Sequence, residues 1–316
     1  MRNHNIDIIK IIAMAMVVYY HVCFYKQDFG YEPGSDVYLP NMARMVMSLC
    51  CAGVPLFFMC SGYCNAGKSW KGWWAVLKKV GTIAILAVFW NWLTPFPYWF
   101  LITLSGLYLI TPILRYMEDK FPYLLWLGTI GIFVATMGMN LAYLITRAVG
   151  ADFIPGYHQQ GLMTTYAVVY YVLGAQMKKH LLPTWLSLVS IVAGYGLLMW
   201  EVVVHTTLDS TVFDGVNASF PTVGALLFSA GLFALLMRVP LNKTYIQKTA
   251  AFIASGCLMV YIFHLFVSKL LHQWINIPPQ IGICAGMVLT LVVMVISFLM
   301  GWILSRIPVL RRLTKV

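Results

Sequence analysis

A lysine and a histidine stand eleven positions apart inside the first apolar run of the chain. The run opens Asp7-Ile-Ile-Lys10 and continues through Ile-Ile-Ala-Met-Ala-Met-Val-Val-Tyr-Tyr to His21. On an α-helix, eleven steps turn the side chain by about 1,100°, so Lys10 and His21 lie roughly 20° apart on one face, with His21 about 16 Å further along. Asp7 sits one turn before Lys10, placed for an i,i+3 pair. Ionisable groups at such depth face a cavity or the interior of a helix bundle. An imidazole there can take a proton from a hydroxyl or carry a transferred group. A lysine at the entrance can hold an anion. A snorkelling lysine and a structurally bonded histidine would carry the same sequence signature.

Three later apolar runs carry polar groups of their own. One reads Gly53-Val-Pro-Leu-Phe-Phe-Met-Cys-Ser61-Gly-Tyr63, in which Pro55 frees backbone carbonyls and Ser61-Gly62 allows close helix approach. A second runs from Tyr98-Trp99-Phe through Tyr108 to Pro112 and Arg115, and a third holds Tyr261 and His264. A histidine stranded in an apolar span is costly, so His264 is expected to meet a polar partner or to line a site. Seven cysteines, an odd number, argue against a disulfide framework. Cys60 and Cys64 share a face at i,i+4, but nothing nearby completes a metal ligand set, and packing is the expected role. No metal site is predicted.

The elements that position these residues must be membrane helices. Hydrophobic residues make up 61% of the 316 positions, charged residues 10%, and the mean hydropathy is +0.80. Soluble domains sit near 45–50% apolar and about 25% charged. Lipid can accept that much apolar surface, and no room remains for a soluble catalytic domain. The sequence predicts an all-α, polytopic transmembrane bundle forming one domain over 1–316. About ten spans are expected, at 6–25, 42–64, 77–96, 98–115, 122–147, 163–177, 183–205, 219–238, 254–275 and 279–305, against the roughly 20 residues a bilayer requires; the sixth is short. The run from Ile8 to Phe24 is too long for a cleaved leader and reads as a retained first span. With the N-terminus inside, 17 of the 21 Lys and Arg fall on the inner side and only Lys26, Arg44, Arg147 and Lys269 on the outer, which puts both termini in the cytoplasm. The net charge of +11 is therefore topological, and with no basic soluble face a nucleic-acid partner is excluded.

Four of these segments, in this order, resemble the acyltransferase-3 family of integral membrane acyltransferases. They are Lys10 and His21 with the preceding Asp7, Val54 to Tyr63, Trp99 to Pro112, and the Tyr261-x-x-His264 pair. The resemblance covers nearly the whole chain. Two departures stand out. Lys10 replaces the commoner arginine and loses its planar two-bond fork, and Lys78-Lys79 stand where many relatives carry an arginine pair.

The resemblance implies transfer of an acyl group, usually acetyl, from cytosolic acyl-CoA to a hydroxyl of a cell-surface carbohydrate or glycolipid acceptor, in the cell membrane. It makes His21 the catalytic residue, as general base or covalent relay, with Lys10, held by Asp7, anchoring the donor or fixing charge in the channel. Acetyl-CoA is polyanionic, and Lys68, Lys71, Lys78 and Lys79 crowd one inner loop. Positive-inside topology alone would also put lysines there. Ser61, Trp99, Tyr108, Tyr261 and His264 are expected to line the substrate pocket. The outer loops 27–41 and 150–161, with Tyr31, Tyr38, Tyr157 and His158, would suit a sugar and equally any solvated loop. Nothing in the chain specifies an oligomeric state. A proton-coupled transporter or flippase of a glycan or small anion would also place His and Lys within the bundle, although neither an inverted repeat nor paired broken helices stand out.

Overall fold

The computed structural model describes residues 2–24, 48–68, 72–94, 98–151, 165–209, 220–275 and 282–308. Among them there is no strand. The helices are α1 (His4–Phe24), α2 (Gly53–Asn65, entered through a 3-10 turn at Cys50–Ala52), α3 (Trp73–Leu93), α4 (Trp99–Lys120), α5 (Pro122–Phe133), α6 (Met139–Ala148), α7 (Tyr166–Met177), α8 (Thr184–Asp209), α9 (Val223–Leu236), α10 (Thr244–Ser255), α11 (Cys257–His272) and α12 (Gly282–Leu304). A π-helical turn at Val134–Gly138 joins α5 to α6 without ending the run.

Among the described residues, six runs are long and apolar enough to cross a membrane: His4–Val22, α3, α4, Pro122–Ala148, Thr184–Glu201 and Cys284–Leu304. Helices α10 and α11 together make a seventh, bent by 56°. The other apolar segments read from the sequence are the shorter helices α2, α7 and α9. The bend lies at the start of the span expected over 254–275, which corresponds to α11, and the structure adds α10 before it. It falls at Ser255-Gly256, where the Ser255 hydroxyl turns back to the Phe252 carbonyl at 2.6 Å and the ring of Phe298 fills the place a Gly256 side chain would take. Ser/Gly pairs are a recognised site of sharp kinks. Pro55 lies in the first turn of α2, where its missing N–H costs the helix nothing.

The distribution of polarity identifies the solvent. Ile85, Val88, Leu291 and Val295 are 57–74% exposed, whereas Asn140, His264, Ser268, Thr290 and Ser297 are buried. Water would favour the reverse arrangement; hydrocarbon favours this one. Exposed aromatics gather at helix ends: Trp73, Trp74, Trp185 and Tyr245 at starts, Trp92, Trp274 and Trp302 at finishes. Amphipathic rings settle at that level in a bilayer. The chain is a membrane protein.

Helix α1 lies between two buried clusters. Its Ile6, Ile9, Ala13, Val17 and Tyr20 pack with residues of α2, α7, α8 and α9. Its Met14, Val18 and Val22 pack with α3, α11 and α12. Lys10 and His21 continue the Met14–Val18 stripe at helical spacing, so their face looks toward α3 and α11. On the other side α2 and α7 cross with their backbones in contact: a Cβ on Gly62 would strike the Tyr171 carbonyl, and one on Gly174 would strike Met59. Gly174→Leu is expected to lower stability by about 3 kcal/mol, the upper end of overpacking costs. The thermal midpoint in detergent checks this; an unchanged midpoint would show that the crossing can relax.

Candidate functional site

Two groups of polar side chains stand one toward each end of the Lys10–His21 stripe. At the Lys10 end, α2, α3 and α4 flank an open cavity of about 560 Å³ lined by Asn65, Lys68, Lys79, Tyr108, Thr111 and Arg115, with no Asp or Glu in its wall. That volume is typical of small-molecule sites. Lys79 sits over the Tyr108 ring, Nζ 3.6 Å from its centre, a cation–π contact. Ser61 hydrogen-bonds the Tyr108 hydroxyl. Pro112 has no N–H to offer the Tyr108 carbonyl, so the α4 ladder is open beside the cavity.

Arg115 is held across this end by carbonyls at and just beyond the C-terminus of α2. Its Nη1 donates to the Lys68 carbonyl at 2.6 Å and its Nη2 to the Asn65 carbonyl. Lys178 donates to the Ala66 carbonyl at 2.5 Å. Cations are favoured there because the C-terminal carbonyls of a helix carry partial negative charge. Lys79 feels both Lys68 and Lys10 as like charges. No carboxylate among the described residues pairs with these three lysines. Like charges that crowd one another repel, and a bound anion would relieve that repulsion.

At the other end, α1 and α11 bring two histidines together. The His21 and His264 rings lie 5.0 Å apart, centre to centre, with planes inclined by 49°. Tyr20 packs edge-on to His21 at 5.0 Å. His264 has no exposed surface, and its Nδ1 is 2.6 Å from the Tyr261 carbonyl and 3.2 Å from that of Val260. Both partners are acceptors, so Nδ1 carries the proton and Nε2 keeps a lone pair. That Nε2 is buried and has no hydrogen-bond partner among the described residues. Tyr261 lies 5.9 Å from His264 and 5.4 Å from Phe100, and its hydroxyl is bonded to the Phe100 backbone in the first turn of α4, where amides lack helix partners.

The residues singled out in the sequence are placed as follows. Lys68, Lys79 and Tyr108 share the cavity, with Ser61 bonded to it from α2. His21, Tyr261 and His264 form the second group, and Trp99 reaches it only through Phe100, at 6.4 Å. Lys78 is exposed and outside the cavity wall. Lys71, together with Tyr31, Tyr38, Tyr157 and His158, lies outside the described residues. Asp7 does not pair with Lys10. Its carboxylate takes two 2.8 Å bonds from Arg2 and faces His4 at 3.3 Å, while Arg2 also reaches the Ala251 carbonyl of α10. The fork of Arg2 satisfies both oxygens at once, which a lysine cannot do. Asp7→Asn is therefore expected to loosen the start of α1 from α10, read as faster proteolysis at the N-terminus; unchanged cleavage would argue against that clamp.

Arg115 escaped the sequence reading, which took it as inner-side charge alone. Its signal was the stripe on α4: Tyr108, Thr111 and Arg115 recur at i, i+3 and i+7 and share one face.

A family model described as an acyltransferase domain matches residues 3–94 and 82–306, nearly the whole chain. The chain belongs to the acyltransferase-3 family. No curated protein and no solved structure matches it. As a member of the acyltransferase-3 family it is a membrane acyltransferase, an enzyme that takes an acyl group from a donor to an acceptor. The cationic cavity and the paired imidazoles are thus two candidate halves of one site, and the shared face of α1 links them.

Proposed function

We propose that this acyltransferase moves an acetyl group from cytosolic acetyl-CoA to a hydroxyl of a lipid-linked or cell-surface carbohydrate in the cell membrane. The observation that carries this reading is a cavity with uncompensated positive charge at the Lys10 end of one face of α1 and the His21–His264 ring pair at the other end, about 16 Å apart by helical rise. Coenzyme A is a polyphosphate on a long flexible arm that ends in the reactive thioester. Lys68, Lys79 and Arg115 suit its phosphates, Lys10 suits the passage between, and the arm is long enough to bring the thioester toward His21. Counting α2, α7 and α9 as crossings makes ten, with both termini and the lysine-rich cavity on the cytoplasmic side, where acyl-CoA is found.

In the chemical step His21 takes the proton of the acceptor hydroxyl as its oxygen attacks the thioester carbonyl carbon. The tetrahedral intermediate collapses, the C–S bond breaks, and the departing sulfur receives the proton from His21. An ester and free coenzyme A result, and the enzyme returns to its starting protonation state. The break at Gly256 favours the transport alternative, because discontinuous helices line transporter sites. One experiment separates the two: purified protein in lipid nanodiscs with radiolabelled acetyl-CoA and dodecyl maltoside, a sugar headgroup on an alkyl chain, or a polyprenyl-linked disaccharide. Label is expected in a sugar ester, with one thiol released per ester formed. No label in either acceptor and no thiol release would overturn the proposal.

A further inference from the structure

We infer that His264 is the proton partner of His21, a positioning residue that stabilises His21 while it holds the acceptor's proton; this rests on reading His21 as the base. Three observations converge. The two rings are 5.0 Å apart, a separation at which imidazole nitrogens turned toward each other fall within hydrogen-bond reach. The Tyr261 and Val260 carbonyls hold His264 in the Nδ1–H form, which leaves Nε2 able only to accept. That lone pair is buried and, among the described residues, unpartnered, a condition that folded proteins rarely leave in place without a use for it.

A base that picks up a proton becomes a cation with two N–H groups. One faces the substrate and returns the proton to the leaving thiolate; the other needs an acceptor. In hydrolytic triads a carboxylate fills this place. Here no carboxylate among the described residues is close to serve. Asp7 is clamped by Arg2, Glu118 by Lys179 and Gln176, and Glu201 lies against the start of α9 beside Thr222 and Gly224. Among the described residues, Tyr20 on α1 packs its ring against His21 and Tyr261 on α11 lies beside His264. The Nε2 of His264 is the acceptor that remains. A small turn of the His21 ring, whose plane is now inclined by 49°, forms the bond as positive charge develops. No proton moves to His264. Its Nδ1 stays bonded to the backbone, and its part is to receive one hydrogen bond that exists only while His21 is charged.

The test compares wild type, His21→Ala, His264→Phe, His264→Met and His264→Gln in nanodiscs, with acetyl-CoA and dodecyl maltoside. The phenylalanine and methionine variants remove the acceptor and fill the space by different shapes, so one serves if the other fails to fold. Each is expected to lower kcat about 10²-fold with KM for acetyl-CoA unchanged. Glutamine, whose side-chain oxygen can stand near Nε2, is expected to recover most of the loss. In a His21→Ala background, His264→Phe should cost nothing more, since the two act as a unit. Transfer by wild type and loss in His21→Ala, with normal kcat in His264→Phe or His264→Met, overturns this inference alone. Loss in those variants without recovery by glutamine also overturns it, because packing would then explain the effect. Absence of transfer by wild type would instead remove the underlying reading of function.

Discussion

His21→Ala is expected to lower kcat for acyl transfer about 10³-fold, within the range general acid–base catalysis supplies. The donor's dissociation constant should stay within about threefold, since the cavity proposed to hold its phosphates begins some 16 Å away along α1. This split separates a chemical role from a structural one. His21 is only partly buried and packs by its ring against Tyr20 and His264, so an alanine there removes little packing and the thermal midpoint should change little. Single-turnover label transfer measures the chemistry, and coenzyme A titration measures the donor site. A variant that folds and transfers acyl groups at the wild-type rate would end the proposed mechanism. A variant that loses coenzyme A binding in step with turnover would mean that the two ends of the stripe are not separate.

The second large effect is expected at Lys79. Lys79→Glu places a carboxylate over Tyr108 in a wall that has none, and should weaken coenzyme A binding about 10²-fold. Losing a charge-assisted hydrogen bond costs about 1.5–3 kcal/mol, and reversing the sign adds repulsion. Lys78→Glu, one residue away but outside the cavity wall, is expected to change binding less than about threefold. Calorimetric titration at low and high salt checks both, since screening should narrow the gap between wild type and Lys79→Glu. Equal effects of the two substitutions would show that the inner lysines act as a diffuse field, with no built site among them.

The contrast between Lys78 and Lys79 shows where sequence reading stops. Both are lysines in the first turns of one helix and both obey the positive-inside pattern. A 100° turn separates them, and only the packing of α3 on α4 decides which one looks into the cavity. Arg115 presents the opposite case. Its stripe with Tyr108 and Thr111 was written in the spacing, but its hydrogen bonds to the Asn65 and Lys68 carbonyls needed the end of α2 to arrive there. Asp7 lay at the right spacing for Lys10, yet a bidentate arginine from outside the helix took it.

Composition and periodicity by themselves determined the class of the molecule. Helices with apolar faces turned outward are the only way such a chain satisfies its backbone in lipid, and this is a local requirement that each segment meets alone. The shared face of Lys10 and His21 was equally legible, because helical geometry depends on spacing only. The tertiary structure decided what that face meets. It set the break at Gly256, which depends on Phe298 of another helix, and it gathered Lys68, Lys79 and Arg115 around one space. It also turned His264 toward His21, although 243 positions separate them. Contacts between distant helices follow from how side chains interlock across interfaces, which no single segment encodes.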